Sequence, residues 1–312
     1  MIINTGGRTD IVQYYTPWLL QRFKEGYALS RNPMYPSNIT KYILTPSTVD
    51  CVLFCSKNYE PILQDLQQIT ERFNTYFFYT ITAYGRDIER GVPDIDRSID
   101  TLIKLEKLVG RRRLVWRYDP VLLTKHYTIQ QHLITFEHMA ARISPHVDRC
   151  VFSFVEIYKK VTVNMPSLIP FTQEDMDTLA YRMALISRKY HLKLQICACK
   201  KDYTPYGILP SGCVNLELIG KANNIKFKDL KHSGMRNGCN CMVSHDIGAY
   251  STCPNGCLYC YANSSPDEAV KNYRLHDPSS PLLFGKIEDG TIIKPARQQS
   301  YIIKPDRQLS LF

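Results

Sequence analysis

The chain has 312 residues, room for one large domain or two small ones and enough to bury about three quarters of the surface its unfolded form exposes. Apolar residues make up 44% and charged residues 22%, which excludes wholesale disorder, and no apolar run approaches the roughly 20 residues of a membrane span. Lys and Arg outnumber Asp and Glu by 39 to 29, a net charge of +10; the excess favours an anionic partner such as DNA, a nucleotide or an acidic electron donor of the flavodoxin or ferredoxin kind, with plain solubility as the simpler explanation.

The predicted elements alternate. Ile2–Thr5 is a short apolar start with no basic and apolar leader around it, so a cytoplasmic protein is expected. Tyr14–Lys24 has helical spacing and stops at Gly26; Tyr27–Ser30 reads as a second strand. Asp50–Cys55 is a buried-strand run, Pro61–Phe73 a helix, and Thr75–Thr82 a strand rich in β-branched and aromatic residues. Asp94–Val109 is an amphipathic helix closed by Gly110. Leu114–Tyr118, Cys150–Ile157 and Leu192–Ala198 are the next strands, with helices over Thr128–Ile143 and Gln173–Tyr190 between them. About seven strand–helix alternations imply an α/β fold with a parallel sheet. A (β/α) TIM-like or partial barrel over residues 1–200 is the simplest arrangement, and an open doubly wound sheet is its competitor.

Both arrangements put reactive groups at the carboxyl ends of the strands. Polar residues recur there: Asn4, Thr5, Arg8 and Asp10, then Lys57, then Arg117 and Asp119, then Glu156 and Lys159. Each alone is more simply a solvated loop residue; together they form a rim suited to an anionic ligand. Arg8, Asp10, Lys57, Arg117, Asp119, Glu156 and Lys159 are the candidate catalytic residues, and Asn4 and Thr5 are candidate cofactor contacts.

Eleven cysteines stand out. Cys51, Cys55 and Cys150 sit inside strand-like runs, whereas the other eight crowd between residues 197 and 260, toward the end of the chain, which points to metal rather than disulfides in a reducing compartment. Residues 201–265 are expected to form a cysteine-rich segment. Its clearest motif is CPNGCLYC, with Cys253, Cys257 and Cys260 in C-x3-C-x2-C spacing. Three thiolates on one Gly-containing turn can hold three corners of a 4Fe–4S cluster and leave one iron open; zinc prefers four closed ligands. Cys197, Cys213, Cys239 and Cys241 form a second available set. It reads either as a second, fully ligated cluster or as the source of a fourth ligand to a single one. One cluster or two is therefore expected. Lys221–Arg236 is strongly basic and reads first as a solvated loop.

C-x3-C-x-Tyr-C resembles the cluster signature of radical S-adenosylmethionine enzymes. That resemblance implies S-adenosylmethionine as cofactor and places Tyr259 near its adenine; in those enzymes the motif follows the first strand, whereas here it follows the last. The continuation YCYAN is similar to spore photoproduct lyase-like repair enzymes. Over nearly the whole chain, RTDI, SKN, WRYDP, SFVEIYKK and the cysteine run from Cys239 to Asn263 resemble an uncharacterised bacterial family, domain of unknown function 1848. Its members share this cysteine cluster and bring no established activity.

Residues 266–312 read as an extended tail, with a ten-residue echo, TIIKPARQQS followed by YIIKPDRQLS. Its last five residues, Gln308, Leu309, Ser310, Leu311 and Phe312, resemble the peptide by which bacterial polymerases and mismatch-repair proteins bind the replicative sliding clamp, an extended segment with apolar anchors; an apolar end packed on its own domain is the plainer reading. The expected function is a radical S-adenosylmethionine-like iron–sulfur enzyme acting on DNA or a related substrate in repair or modification. Two alternatives stand beside it: a clamp-associated nucleic-acid-binding protein with a structural iron–sulfur or zinc site, and a non-radical iron–sulfur lyase or desulfidase. His126, His132, His138 and His146 read as surface or core residues.

Overall fold

The computed structural model describes residues 1–210, 212–228 and 238–303. In chain order the elements are β1 (Ile2–Asn4), α1 (Ile11–Tyr14), α2 (Thr16–Glu25), β2 (Tyr27–Arg31), β3 (Asn38–Ile43), β4 (Cys51–Ser56), α3 (Gln67–Thr70), β5 (Thr75–Thr80) and α4 (Ile95–Val109). There follow β6 (Leu114–Val121), α5 (Ile129–Ile143), β7 (Arg149–Phe154), α6 (Lys159–Asn164), α7 (Gln173–Lys189), β8 (Lys193–Ile196), α8 (Leu216–Asn223), β9 (His245–Asp246), α9 (Pro266–Arg274) and β10 (Ile292–Pro295).

Helix ends follow from local chemistry. The Asp94 carboxylate accepts from the Arg97 N–H at 2.8 Å and opens α4, satisfying one of the donors a helix start leaves unpaired. Thr172 and Asp175 form a reciprocal capping box at the head of α7. The α2 helix stops at Gly26, whose φ of 78° few other residues adopt.

Seven strands form one parallel sheet in the order β8-β7-β6-β5-β4-β1-β9. From β1 to β8 the order follows the chain, without the reversal that marks a doubly wound sheet. Alternate strand residues point to opposite faces, and the two faces are buried by different partners. Phe54, Phe77, Trp116 and Phe152 pack with Leu102, Phe136 and Met183 of α4, α5 and α7. Ile2, Leu53, Phe78, Val115 and Val151 face the other way, toward Cys197, Cys213, Cys241 and Ile219 of α8. Burial on both faces is why the strands read as continuous apolar runs rather than alternating ones.

No ladder joins the sheet's outer strands, β8 and β9, among the described residues. Irregular chain lies between them instead. Leu209 pairs with β8 through its N–H to Leu194 O at 2.8 Å, and the Met242 N–H donates to Val214 O at 3.0 Å just before β9.

Two expectations are corrected. The helix expected over Pro61–Phe73 is reduced to a 3-10 turn, Glu60–Ile62, and the single turn α3. Ile62, Leu66, Ile69 and Phe73 are buried all the same, because bonds of i to i−3 type, such as Asp65 N to Ile62 O and Ile69 N to Leu66 O, bring the same side chains to one face as an α-helix does. The segment from residue 266 is not a free extended tail. It begins with α9, capped by Ser265, and continues along the body. Leu282 and Leu283 are buried, Trp18 Nε1 donates to Ser280 O at 2.8 Å, and β10 pairs parallel with β3 in a small sheet completed by β2. The two repeat copies separate: Ile292 and Ile293 lie in β10, while Ile302 bridges to Phe227. Gln308, Leu309, Ser310, Leu311 and Phe312, and Asp229–Arg236 of the basic stretch, lie outside the described residues. Among the described residues no helix is long and apolar enough to cross a membrane.

Candidate metal centres

Parallel pairing brings the carboxyl ends of β1 and β4 to β8 to one edge of the sheet, and the cysteine loop between β9 and α9 folds over it. Gly256, with φ of 63°, turns the chain between Cys253 and Cys257. The Gly91 N–H donates to Asn255 O at 2.8 Å and the Leu258 N–H to Ile88 O at 3.1 Å, so the loop after β5 holds the motif along its length. A Cβ on Gly91 would sit 2.8 Å from the Tyr14 hydroxyl and 3.0 Å from Asn255 Cα, which explains a glycine there.

Asp10 caps α1 and lies beneath the loop. Its carboxylate accepts from Ser56 Oγ at 2.6 Å, the Lys57 N–H at 2.9 Å and Asn255 Nδ2 at 3.4 Å. Burial raises its pKa from the ordinary carboxylate value, against the lowering pull of those hydrogen bonds. Lys57 Nζ bonds the Glu89 carboxylate at 2.8 Å and lies 5.7 Å from the centre of the Tyr259 ring. Burial works against the Lys57 charge, but Glu89 and then Cys257 outweigh it and hold the ammonium protonated. Glu89 also accepts from Thr82 Oγ1 at 2.8 Å and from the Tyr259 hydroxyl. Burial pushes the Cys253 thiol up to about 12, and burial followed by the Glu89 charge raises Cys257 well above the ordinary thiol value. The Ala262 N–H points at Cys260 Sγ, 3.3 Å away.

Across the edge, Arg117 binds Asp119, and Asp119 in turn accepts from Ser153 Oγ. Arg117 Nη1 also lies 3.0 Å from Cys55 Sγ. Two buried polar atoms here have no hydrogen-bond partner, Arg117 Nε and Asn263 Oδ1. Buried polar atoms are nearly always paired, so such orphans mark a place where a ligand or water belongs.

The second cysteine set converges separately. Cys197 follows β8, Cys213 follows the Leu209 segment, and Cys241 precedes β9. Their sulfurs all lie within 4.8 Å of one another, in full burial, a group able to hold a metal ion. Cys197 and Cys213 are 3.8 Å apart and Cys213 and Cys241 3.3 Å. Cys239 is half-buried and in hydrogen-bonding contact with Cys241. Hydrogen bonds with Cys197 and then Cys241 lower the Cys213 thiol, and those with Cys197, Cys213 and Cys239 raise Cys241.

The other sequence candidates fall in varied places. Arg8 donates to Ser30 Oγ at 3.1 Å and stacks on Tyr250, ahead of the cysteine loop. Thr5 is fully buried and donates to Leu53 O at 3.2 Å, and Asn4 Oδ1 accepts from the Gly6 N–H at 3.0 Å; both brace the turn after β1. Glu156, which accepts from the Tyr158 hydroxyl at 2.6 Å, and Lys159 are exposed. Lys160, not Lys159, reaches the cysteine loop, donating to Tyr261 O and, at 2.9 Å, to Asn263 O. Sequence reasoning missed Lys160, Glu89 and Asp246. The last accepts from the Gly7 N–H at 2.6 Å and the Gly248 N–H at 2.8 Å, joining β1 to the start of the cysteine loop. The signal available for Glu89 was its position in the loop after a predicted strand.

A parallel α/β body with one set of cysteines over its strand ends and a second between its outer strands defines a candidate cysteine-ligated metalloprotein. The chain belongs to the family described as Domain of unknown function (DUF1848), whose model matches residues 2–262. Comparison with curated proteins finds no match. Among solved structures, a protein described as a "putative alpha-L-fucosidase" from Bacteroides thetaiotaomicron is similar over 69% of this chain and 61% of that one, at 12% identity and a TM-score of 0.30. A likeness that slight carries no argument about this chain.

Proposed function

We propose that this protein is an iron–sulfur enzyme of the radical S-adenosylmethionine kind, working on a nucleic-acid-related substrate at the carboxyl ends of a (β/α) barrel split between β8 and β9. The observation that carries the reading is the Cys253–Cys260 loop: three thiols, one aromatic residue and a buried ion pair on a pinned turn over the strand ends.

The donor set suits a cuboidal cluster with one free corner. There are three thiols rather than four, and among the described residues they do not converge as Cys197, Cys213 and Cys241 do. The Ala262 N–H on Cys260 Sγ is the kind of hydrogen bond that stabilises cluster thiolates. When bound, such a cluster supplies the electron that cleaves S-adenosylmethionine reductively.

This chain's own residues do the positioning. Asp10 and Glu89 fix the loop from two sides. Lys57 sets a cation beside Cys257 and offsets thiolate charge. The Glu89 carboxylate aims the Tyr259 ring, which by resemblance lies near adenine. Arg117, with its orphaned Nε, and Asn263, with its orphaned Oδ1, are the groups available to bind a polar ligand. Chain order, where this sequence departs from the radical enzymes, matters less in space: β9 pairs with β1 at the sheet's edge, so the loop follows the strand that heads the sheet.

The test is 5′-deoxyadenosine formation from S-adenosylmethionine under dithionite, on anaerobically reconstituted protein, with and without duplex DNA. The reading expects product from the wild type and at least a hundredfold less, on the order of the loss of a chemical step, from Cys257→Ala. Intact clusters with no product overturn it and leave the metal-stabilised binding protein as the better account.

A further inference from the structure

The set formed by Cys197, Cys213, Cys239 and Cys241 lies outside the machinery just described, and its geometry differs in kind. We propose that these four cysteines hold a single tetrahedral ion, zinc by preference, that fastens the open edge of the sheet between β8 and β9.

Spacing separates one ion from a cluster. A metal–sulfur bond of about 2.3 Å places the corners of a tetrahedron about 3.8 Å apart. Cys197 and Cys213 are 3.8 Å apart, and Cys213 and Cys241 are closer still, at 3.3 Å. In a cuboidal cluster each thiolate binds a different iron, so the sulfurs stand farther apart. From the sequence the set reads as a second cluster or as the source of a fourth ligand to one; the distances favour one ion.

The backbone around the set is shaped for ligation. Ala198, directly after Cys197, has φ of 49°, Gly212 before Cys213 has 122°, and Gly238 before Cys239 has 75°. Three residues with positive φ adjoin proposed ligands, two of them, Cys197 and Cys213, in the converging group, and the non-glycine among the three is strained. A Cβ on Gly212 would meet Asn240 O at 3.0 Å, so the two thiol-bearing turns touch. The Val214 N–H points at Cys241 Sγ at 3.4 Å, an outer hydrogen bond of the sort that orients metal ligands. Cys199 is the internal control, because it packs on the helix-side core and not with the set.

The ligands come from both sides of the seam: Cys197 adjoins β8 and Cys241 lies four residues before β9. An ion there replaces the missing ladder with metal–sulfur bonds, a strong constraint on chain ends that few hydrogen bonds join.

The experiment uses the full chain carrying Cys253→Ala, Cys257→Ala and Cys260→Ala, so that any metal found belongs to this set. The proposal expects about one zinc per chain and no acid-labile sulfide. Loading with cobalt alone should give the visible bands of a tetrahedral tetrathiolate site, lost in Cys213→Ser and kept in Cys199→Ser. If Cys213→Ser does not fold, X-ray absorption on the triple variant decides: four sulfurs at about 2.3 Å with no neighbouring metal support one ion. Labile sulfide or a metal–metal distance in that variant overturns the proposal, as does metal-free folded protein. None of these outcomes depends on whether the other loop makes 5′-deoxyadenosine.

Discussion

Glu89 takes three donors on one carboxylate oxygen: Lys57, Thr82 and Tyr259. It is nearly inaccessible, and its lysine partner is only slightly more open. Removing one member of a buried pair leaves the other charge uncompensated, so Glu89→Gln should cost about 3 kcal/mol in urea unfolding. The double variant Glu89→Leu with Lys57→Met should recover most of it, since the cost lies in the stranded charge. A loss within about 0.5 kcal/mol, the range of an ordinary surface change, contradicts the role given to this pair. Cys253, Cys257 and Cys260 were legible as candidates because their spacing is itself chemical information. Glu89 was not: in GRDIERG it is one acid among charged neighbours, and only the return of the chain past Cys257 makes it central. Lys159 against Lys160 is the same lesson at one residue's remove, because sequence gives a loop's composition but not which side chain turns inward.

At the level of elements, legibility tracked burial. Asp50–Cys55 and Thr75–Thr82 were readable because both faces of those strands are buried, which demands apolar residues throughout. The strand β3 was missed because Asn38–Ile43 buries Ile39 and leaves its neighbours half-exposed, and β10 because all four of its residues are exposed. Such strands are held by backbone bonds to partners distant in the chain, and composition does not record a partner. The same holds for the segment after 266, whose Pro and Ser content suggested a free tail. Leu282 packs with Leu29 and Ile39 across the small sheet, so Leu282→Ala should destabilise the protein by about 2 kcal/mol or more, the usual cost of a core truncation. Equal urea midpoints for the variant and the wild type contradict the packing role assigned to this segment.

For the whole molecule, alternation of strands and helices was enough to specify a parallel sheet, and the absence of a switch point in its strand order is visible only in three dimensions. How the two edges meet was illegible because, apart from α8, the described part of the joining chain is irregular; its information lies in cysteines at four separate positions. The two proposals give the cysteines different work: three thiols with an open cluster corner over the strand ends, and four thiols around one ion in the seam. Elemental and labile-sulfide analysis of the anaerobically prepared full-length wild type tests this division most directly. The account predicts about four irons, four sulfides and one zinc per chain. Zinc alone, with no iron and no labile sulfide after reconstitution, contradicts it.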